Sequence, residues 1–310
     1  GGVLFATGES LPTLASGRGL IGMGVSACLM AGLKGFTLWF PREKLASMTG
    51  YVMSCGALGA VTASAPLEAA LPFIGWRGAF WLVAGLAASI AALIFFAMPE
   101  KDGSHPRGDL RHALRGVREV LSARVFWGFA AQSAFFTGGF MALQGLWAMP
   151  WLMEVNGYSR ALAANHLFWL NVGMLIGQLS IGAWAMPLAA RGIPPLRLMQ
   201  IGLFVSLVVE ALIIGEIGST LLLWCVLGAV SASGAQMYGV LSGLFPIHLT
   251  GRVTTSINLM AFVGAFAVQW GLGGLLDGLR AGGMGNASSL RVAFVILLAA
   301  QVLSFIPLSR

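Results

Sequence analysis

Long apolar stretches, separated by short polar connections, fill most of this 310-residue chain. An α-helix needs about twenty consecutive apolar residues to cross the hydrocarbon core of a bilayer, and nine of the stretches reach that length. They lie at about 12–40, 46–71, 77–98, 125–149, 160–185, 195–215, 219–245, 253–276 and 289–308. The pattern predicts an all-α membrane protein with nine membrane-spanning helices.

The first residues and one connection depart from this pattern. Residues 1–7 read as the tail of an apolar segment and carry no start methionine, so we expect an N-terminally truncated sequence. Residues 99–124 form the only long connection. Apolar residues recur there at helical spacing between arginines, at Leu110, Leu114, Val117 and Leu121. This spacing predicts an amphipathic helix that lies on the membrane surface.

The composition excludes a soluble globular domain, because 57% of the residues are hydrophobic, 9% are charged and the mean hydropathy is +0.85. A net charge of +7 is compatible with nucleic-acid binding. The basic residues, however, lie in short loops rather than in a patch with interleaved aromatic side chains. We therefore expect a lipid bilayer, and no nucleic acid, among the partners of this protein.

The basic residues also indicate the orientation in the membrane. Most of the 18 lie at the C-terminus and in the connections at 41–45, 99–124, 186–197 and 246–252, which all fall on one side. The opposite side has only Arg77, Arg160, Arg280 and Arg291. Because cytoplasmic loops are enriched in Lys and Arg, the long linker and the C-terminus are predicted to be cytoplasmic. We place this multi-pass protein in the inner membrane of a bacterium.

No enzyme or metal motif accompanies the spans. The three cysteines, Cys28, Cys55 and Cys225, lie in apolar stretches without paired spacing, so neither a disulfide framework nor a metal site is predicted. The chain has no H-E-x-x-H motif, no Walker A motif and no acids at metal-ligand spacing. We expect a protein that is not an enzyme, has no cofactor and is monomeric, although the sequence does not determine the oligomeric state.

Several short motifs accompany the apolar spans. Leu14, Arg18, Gly22 and Gly24 stand as L-x-x-x-R-x-x-x-G-x-G, which resembles the fourth-helix motif of the major facilitator superfamily. The G-W-R-x-x-F pattern that begins the family's sixth helix is matched by Gly75, Trp76, Arg77 and Phe80. Further likenesses are W-F-P-x at residues 39–42 and the pair Gly251-Arg252 after Phe245-Pro246.

The resemblance implies a transporter of two six-helix bundles joined by a cytoplasmic linker, with about the first three helices missing from this sequence. Residues 1–98 then form the remainder of the N-terminal bundle, from the end of helix three through helices four to six. Residues 99–124 are the linker, and 125–310 are helices seven to twelve. The resemblance also implies that Arg18 faces the central cavity and takes part in proton coupling.

The sequence departs from the family's motifs at two places. Gly50 and Gly59 keep the first spacing of an antiporter motif in the fifth helix, but residues 63–64 and 67–68 replace its later Gly-Pro and Gly-Gly pairs. A drug/proton antiporter is therefore not indicated. A second departure is the loop between helices eight and nine, where Met186 stands at the acidic position of the family's G-x-x-x-D pattern.

Polar side chains recur on one face of four spans in the C-terminal half. The candidates for a transport pathway, beside Arg18, are Ser133, Thr137 and Gln144 in the seventh helix, Asn171 and Gln178 in the eighth, Ser231 and Tyr238 in the tenth, and Asn258 and Gln269 in the eleventh. Such groups need partners inside a bilayer, so each stripe is predicted to face inward. Interhelical hydrogen bonds explain any single residue, whereas four polar faces together favour a cavity.

Other polar groups have structural explanations. Lys34 lies near enough to the cytoplasmic end of its helix to extend its amine to the interface. Glu210 lies in the ninth helix, an outer scaffold in the family, where an ion pair or a protonated, hydrogen-bonding acid is favoured over a coupling site. His166 reads as a satisfied interface residue. The G-x-x-x-G pairs at 173/177, 239/243 and 274/278 predict close contacts between helices.

Two classes of function remain open. The first is secondary active transport of a small solute by alternating access, driven by a proton gradient or by the solute's own gradient; Arg18 and the polar faces favour it. The second is a non-transporting multi-pass membrane protein, either a scaffold or sensor or an intramembrane enzyme. Two cations and one acid within the spans mildly favour an anionic solute. We expect the truncated chain alone not to transport.

The predicted topology is testable by thiol labelling after the three native cysteines are replaced. A single cysteine at residue 105 is predicted to resist a membrane-impermeant reagent added to intact cells, because the linker is cytoplasmic. A single cysteine at residue 156, in an opposite loop, is predicted to react. Labelling at 105 together with protection at 156 would reverse the topology.

Overall fold

The computed structural model describes residues 1–39, 52, 55–97 and 110–305. Within these ranges the chain is helical between short turns and contains no β-strand, which confirms the predicted all-α fold. The chain divides into two compact units, with the boundary after residue 106. Each unit has its own internal packing.

The N-terminal unit consists of α1 (Gly2–Thr7), α2 (Leu11–Trp39) and α3 (Ala65–Ala97), and residues 55–62 are also helical. The boundary predicted at 72–76 is a break within α3 rather than a separate loop. At this break Gly75 has a φ of 65°, a left-handed conformation that glycine adopts readily because it lacks a Cβ atom. The span predicted at 46–71 begins outside the described residues.

The G-W-R-x-x-F residues attach α1 to α3. Arg77 donates a hydrogen bond to the carbonyl oxygen of Gly8 at 3.1 Å. Its guanidinium carbon lies 4.4 Å from the ring centroid of Trp76. The ring of Phe5 lies 4.4 Å from that of Phe80 and 6.0 Å from that of Trp76. The motif therefore has a packing role, because cation–π and aromatic contacts hold the short first helix in place.

The C-terminal unit begins with α4 (Leu110–Ser122) and continues as one helical stretch, α5, over residues 124–155. The next helices are α6 (Arg160–Ala190), α7 (Pro195–Ile214), α8 (Thr220–Ser242), α9 (Thr250–Ala281) and α10 (Asn286–Phe305). Of the described helices, six are long and apolar enough to cross a membrane: α3, α6, α7, α8, α9 and α10. Helices α2 and α5 occupy the spans predicted at 12–40 and 125–149, and the total of nine spans stays a prediction.

Helix α5 departs from regular α-helical geometry. Its backbone widens into π turns at Ser133–Gly138, Leu143–Trp147 and Trp151–Val155. A π turn places its hydrogen bonds one residue further along the chain than an α turn does, so the side chains that follow are rotated about the helix axis. The helix also continues to residue 155, beyond its predicted end at 149.

Two clusters of buried apolar side chains hold the helices of this unit together. One surrounds Trp151 and Trp224 and includes Phe294, whose ring stacks on that of Trp151 at 4.3 Å. The other surrounds Phe126 and Met237. Because lipid tails are as apolar as these side chains, close van der Waals packing rather than the hydrophobic effect favours the contacts between helices in a bilayer.

The amphipathic helix predicted before the C-terminal bundle is present as α4. Val120 is fully buried and Gly116 lies against the side chain of Arg252 near the start of α9, whereas Leu114 is exposed. The helix therefore docks on α9 through the face that carries residues 116 and 120. Its location on a membrane surface stays a prediction, and the side chain of Leu110 lies outside the described part of the structure.

One of the predicted glycine pairs forms a close contact between helices. A methyl group on Gly173 would overlap the carbonyl oxygen of Cys225, and one on Gly177 would overlap that of Ala229, so α6 and α8 touch backbone to backbone. The other two pairs differ. The described residues place no atom within 4 Å of such a methyl group at Gly239, Gly274 or Gly278.

The close contact between α6 and α8 predicts a specific loss of stability. Gly177→Val is expected to destabilise the protein by about 1–3 kcal/mol, because the added side chain forces the two helices apart. Gly274→Val is the matched control, since it adds the same side chain to a glycine pair in open space, and it should change stability by less than about 0.5 kcal/mol. Thermal or denaturant unfolding compares the two variants. Equal losses would contradict the assigned contact.

Candidate functional site

The polar side chains of the C-terminal unit form hydrogen bonds between α5, α6, α8 and α9, the four helices for which a polar face was predicted. These bonds connect α5 with α6, α5 with α9, and α8 with α9. They satisfy groups that a bilayer would leave unpaired. Several side chains in this region nevertheless keep free hydrogen-bonding capacity, and these are the groups available to a solute.

Gln144 of α5 and Asn171 of α6 form a direct amide pair. Gln144 Nε2 donates to Asn171 Oδ1, and it also lies 3.8 Å from the sulfur of Met174. Asn171 is buried, and its Nδ2 donates to the carbonyl oxygen of Leu167 at 2.8 Å, which fixes the orientation of the amide. Gln144 is half-buried, and its Oε1 accepts no hydrogen bond from any described residue. This oxygen is therefore free to accept from a bound molecule.

Tyr238 of α8 and Asn258 of α9 form a second pair. The Tyr238 hydroxyl donates to Asn258 Oδ1 at 2.8 Å. Both side chains are half-buried, and within the described ranges the Nδ2 group of Asn258 donates to no protein acceptor. The pair thus offers one amide donor, and the tyrosine oxygen still has acceptor capacity.

A small cavity of about 40 Å³ lies between α5, α7 and α8. Three hydroxyl groups line it, those of Thr137, Ser206 and Ser231, together with Phe136, Phe140, Leu203 and Gly234. The Ser231 hydroxyl donates to the carbonyl oxygen of Gly228 at 2.6 Å, which leaves its oxygen able to accept. The cavity combines aromatic walls with hydroxyl groups, and it has room for a few water molecules.

Ser206 was missed by the sequence analysis because it lies in α7, which was assigned to the outer scaffold. The available signal was its spacing: Ser206 and Glu210 are four residues apart in an otherwise apolar helix, and residues four apart share a helix face. That spacing alone would have marked a polar spot on α7.

The remaining candidates of the C-terminal unit have different environments. Ser133 is buried and donates to the carbonyl oxygen of Ile257 at 3.0 Å, so it is an interhelical hydrogen bond of the kind expected for packing. Gln178 is half-buried and bonds to no described residue. Gln269 is half-buried beside Gly145, where a methyl group would lie 3.5 Å from its Nε2 atom.

The polar side chains of α5 contact three different helices rather than one shared surface. Ser133 bonds to α9, Thr137 lies beside Gly234 of α8, and Gln144 bonds to α6. The physical reason is the pair of π turns at Ser133–Gly138 and Leu143–Trp147, which rotate successive side chains relative to a regular α-helix. The regular spacing assumed from the sequence does not hold in this helix.

Arg18 belongs to α2 in the N-terminal unit. Its side chain is exposed and has no hydrogen bond or ion pair with any described residue. Leu14, one turn earlier, is half-buried against Gly8. On the same helix, the described residues leave open space within 4 Å of a methyl group at Gly22 or Gly24.

The other glycines of the family motifs either face open space or lie outside the described residues. A methyl group at Gly59 or Gly251 would meet no described atom within 4 Å. Gly50 and the W-F-P-x residues after Trp39 lie outside the described residues. Neither Gly59 nor Gly251 has a contact among the described residues that explains the motif.

The single histidine within a span has a hydrogen-bond partner in its own helix, as expected. His166 Nδ1 lies 2.9 Å from the carbonyl oxygen of Leu162, and its ring lies 4.9 Å from that of Tyr158. Glu210 has no ion pair within the described ranges and instead accepts hydrogen bonds from Ser206 and Gln301. The Lys34 side chain lies outside the described part of the structure.

Two further observations limit the chemistry of this unit. No group of three or more His, Cys, Asp or Glu side chains in the described residues is arranged to hold a metal ion. A larger cavity of about 280 Å³ between α5, α9 and α10 is lined entirely by apolar residues, among them Phe135, Met260 and Leu297. It offers no polar side chain to a solute.

Comparison with known families and proteins gives one family over most of the chain. The model of the Major Facilitator Superfamily matches residues 1–269. The hexuronate transporter of Escherichia coli (strain K12) is 29% identical over 134 residues, which cover 38% of this chain and 31% of that protein. The galacturonate transporter of Dickeya chrysanthemi is 26% identical over 147 residues, covering 41% and 43%. The matched stretches thus span less than half of either relative.

Solved structures share the fold at low sequence identity. A bacterial homolog to the human lysosomal transporter Spinster, in an inward-facing and occupied conformation, has a TM-score of 0.69 at 16% identity, covering 100% of this chain and 79% of that chain. The E. coli fucose:proton symporter FucP has a TM-score of 0.57 at 14% identity, covering 94% and 75%.

The hydrogen bond between Tyr238 and Asn258 is testable by a double-mutant cycle. Tyr238→Phe and Asn258→Leu are expected to show a coupling free energy of about 0.6 kcal/mol, the average for polar pairs between membrane helices. Tyr238→Phe with Asn171→Leu is the control cycle, because those residues form no hydrogen bond with each other, and its coupling should be close to zero. Unfolding of the purified protein measures both cycles, and equal couplings would contradict the pair.

Proposed function

The chain belongs to the major facilitator superfamily, and we propose that it is part of a secondary transporter that moves a small sugar acid across a membrane by alternating access. The curated relatives support this substrate class, since they are named as hexuronate and galacturonate transporters. Both solutes are sugar acids, which combine several hydroxyl groups with a carboxylate. The proposal also agrees with the excess of cations over acids within the spans.

The observation that carries the proposal is the free hydrogen-bonding capacity in the C-terminal unit. Gln144 Oε1 accepts, Asn258 Nδ2 donates, the Thr137 hydroxyl does either, and the Ser231 oxygen accepts. A sugar hydroxyl likewise donates and accepts, so a polyol matches these groups better than an apolar drug does. Aromatic residues such as Phe136 and Phe140 complete the cavity wall and suit the apolar faces of a sugar ring.

For the N-terminal unit we propose Arg18 as the residue that binds an anion or takes part in proton coupling. A guanidinium inside a membrane span is costly, which makes it a functional candidate. Its planar fork of donors fits a carboxylate through two parallel hydrogen bonds. The exposed side chain and the small residues at positions 22 and 24 leave room for such a partner.

The proposal includes the number of spans, the location of the linker and the gradient that drives transport. We propose that the chain crosses a bacterial inner membrane nine times, that α4 lies in a cytoplasmic linker, and that transport uses a proton gradient or the gradient of the solute itself. The basic residues of the linker support the orientation. The structural neighbour FucP is named a fucose:proton symporter, so proton coupling is compatible with this fold.

Uptake of radiolabelled galacturonate into liposomes containing the full-length protein tests the proposal. Arg18→Ala is expected to abolish uptake while the protein is still inserted and expressed, because the cation is lost. Arg18→Lys keeps the charge but loses the planar fork, so uptake should be impaired rather than absent.

The controls separate a functional from an anchoring arginine. Asn165→Leu removes an exposed amide near one end of α6 and should leave uptake unchanged. Parent-level uptake by Arg18→Ala would make Arg18 an interfacial anchor. Galacturonate binding without uptake by the parent protein would instead favour a sensor over a transporter.

A further inference from the structure

A second polar site lies on the side of α7, where no pathway residue was expected. Glu210 is buried with 6% of its surface exposed, and Gln301 of α10 is fully buried. Glu210 Oε1 accepts hydrogen bonds from Gln301 Nε2 at 3.3 Å and from Ser206 Oγ at 3.5 Å. The acid is therefore held between two helices by neutral donors.

The Gln301 amide also bonds to a third helix. Gln301 Nε2 also donates to the carbonyl oxygen of Phe135 in α5 at 3.3 Å, so α5, α7 and α10 meet at this amide. Gln301 Oε1 is buried and has no partner among the described residues. A buried, unpaired amide oxygen costs about 1–3 kcal/mol, so its retention at this point needs an explanation.

No charged group neutralises Glu210 within the described structure. The titratable side chains on α7 and on the helices packed against it include Arg160, His166, Arg197, Cys225, Tyr238 and Arg291. His166 bonds to the Leu162 carbonyl, Tyr238 to Asn258 and Arg291 to Glu216. The Cys225 thiol forms no described bond with the acid. Burying a carboxylate without a cation is costly, and uptake of a proton removes that cost.

We infer that Glu210 is a reversible proton-binding site of the C-terminal bundle, served by Gln301 in both protonation states and reached from the hydroxyl-lined cavity through Ser206. The carboxylate accepts from Gln301 Nε2 and from Ser206. The protonated acid needs an acceptor for its O–H group, and the unpartnered Gln301 Oε1 supplies one after rotation of the amide.

The route to this site follows from the position of Ser206. Its hydroxyl contacts Glu210 and also lines the cavity with Thr137 and Ser231. A hydroxyl group donates and accepts at the same time, so it can pass a proton from water in the cavity to the carboxylate and return it by the same path. No other reactant is required, and no covalent bond other than O–H forms or breaks.

Infrared difference spectroscopy of the full-length protein in lipid, between alkaline and acidic buffer, tests the site directly. A protonated carboxyl group has a C=O stretch distinct from that of a carboxylate. We expect such a band to appear on acidification of the parent protein and to be missing from Glu210→Gln, which keeps the shape of the neutral acid. Glu154→Gln is the matched control, because that acid lies at the partly exposed end of α5 in an ion pair with Arg280, and the band should persist.

Gln301→Leu and Ser206→Ala extend the test to the partners and remain informative if Glu210→Gln fails to fold. Each should shift the frequency of the same band, because the protonated acid loses a hydrogen-bonding neighbour. A band that survives in Glu210→Gln, or a frequency that neither partner variant changes, would overturn the site.

Any effect of this site on uptake rests on the proposed function, but the infrared measurement does not. If the parent protein shows the Glu210 band and no galacturonate uptake, the proton site stands and the transport proposal fails. If uptake occurs and no Glu210 band appears, the transport proposal stands and the proton site fails.

Discussion

The constraint on which this structure depends is that a bilayer provides no hydrogen-bonding partners. Every polar group within a span must find its partner in the protein or line a polar cavity. In the C-terminal unit this requirement is met by bonds between helices, such as those of Gln144 with Asn171 and of Tyr238 with Asn258. The same bonds leave one polar atom of Gln144 and one of Asn258 without a partner among the described residues. Under the proposed function, the side chains that join the helices are also those that recognise the solute.

Backbone packing determines where these polar groups can lie. The glycines of α6 and α8 bring the two helices into direct contact, which excludes side chains from that interface. The π turns of α5 have the opposite effect, because they direct neighbouring polar residues toward three different helices. One close backbone contact and one irregular helix together position the hydroxyl-lined cavity between α5, α7 and α8.

The all-α class and the family were predictable from the sequence, because apolar stretches of membrane length and short motifs are local signals. The packing glycines were only partly predictable: the pair at 173/177 forms a contact, whereas Gly274 and Gly278 have the same spacing and face open space in the described structure. Spacing alone does not say which side of a helix has a neighbour. The direction of the α5 side chains was not predictable either, since the sequence carries no clear signal for a π turn.

The polar site at Glu210 shows a different limit of sequence reasoning. Its residues come from α7 and α10, 91 positions apart in the chain at Glu210 and Gln301, and only tertiary packing brings them together. Assigning α7 to an outer scaffold by family resemblance removed it from consideration. In the structure, the buried acid of this helix accepts a hydrogen bond from Ser206, whose side chain also lines the cavity.

The central claim, that the hydroxyl-lined cavity of the C-terminal unit contacts the solute, is tested most directly by solute protection of a thiol. In full-length protein without native cysteines, Thr137→Cys places a thiol in the cavity, whereas Ser133→Cys places one at the buried contact with Ile257. Galacturonate should slow modification of the thiol at 137 by a small thiol reagent, and the slow reaction at 133 should not depend on the solute. Equal modification rates at 137 with and without galacturonate would contradict the account.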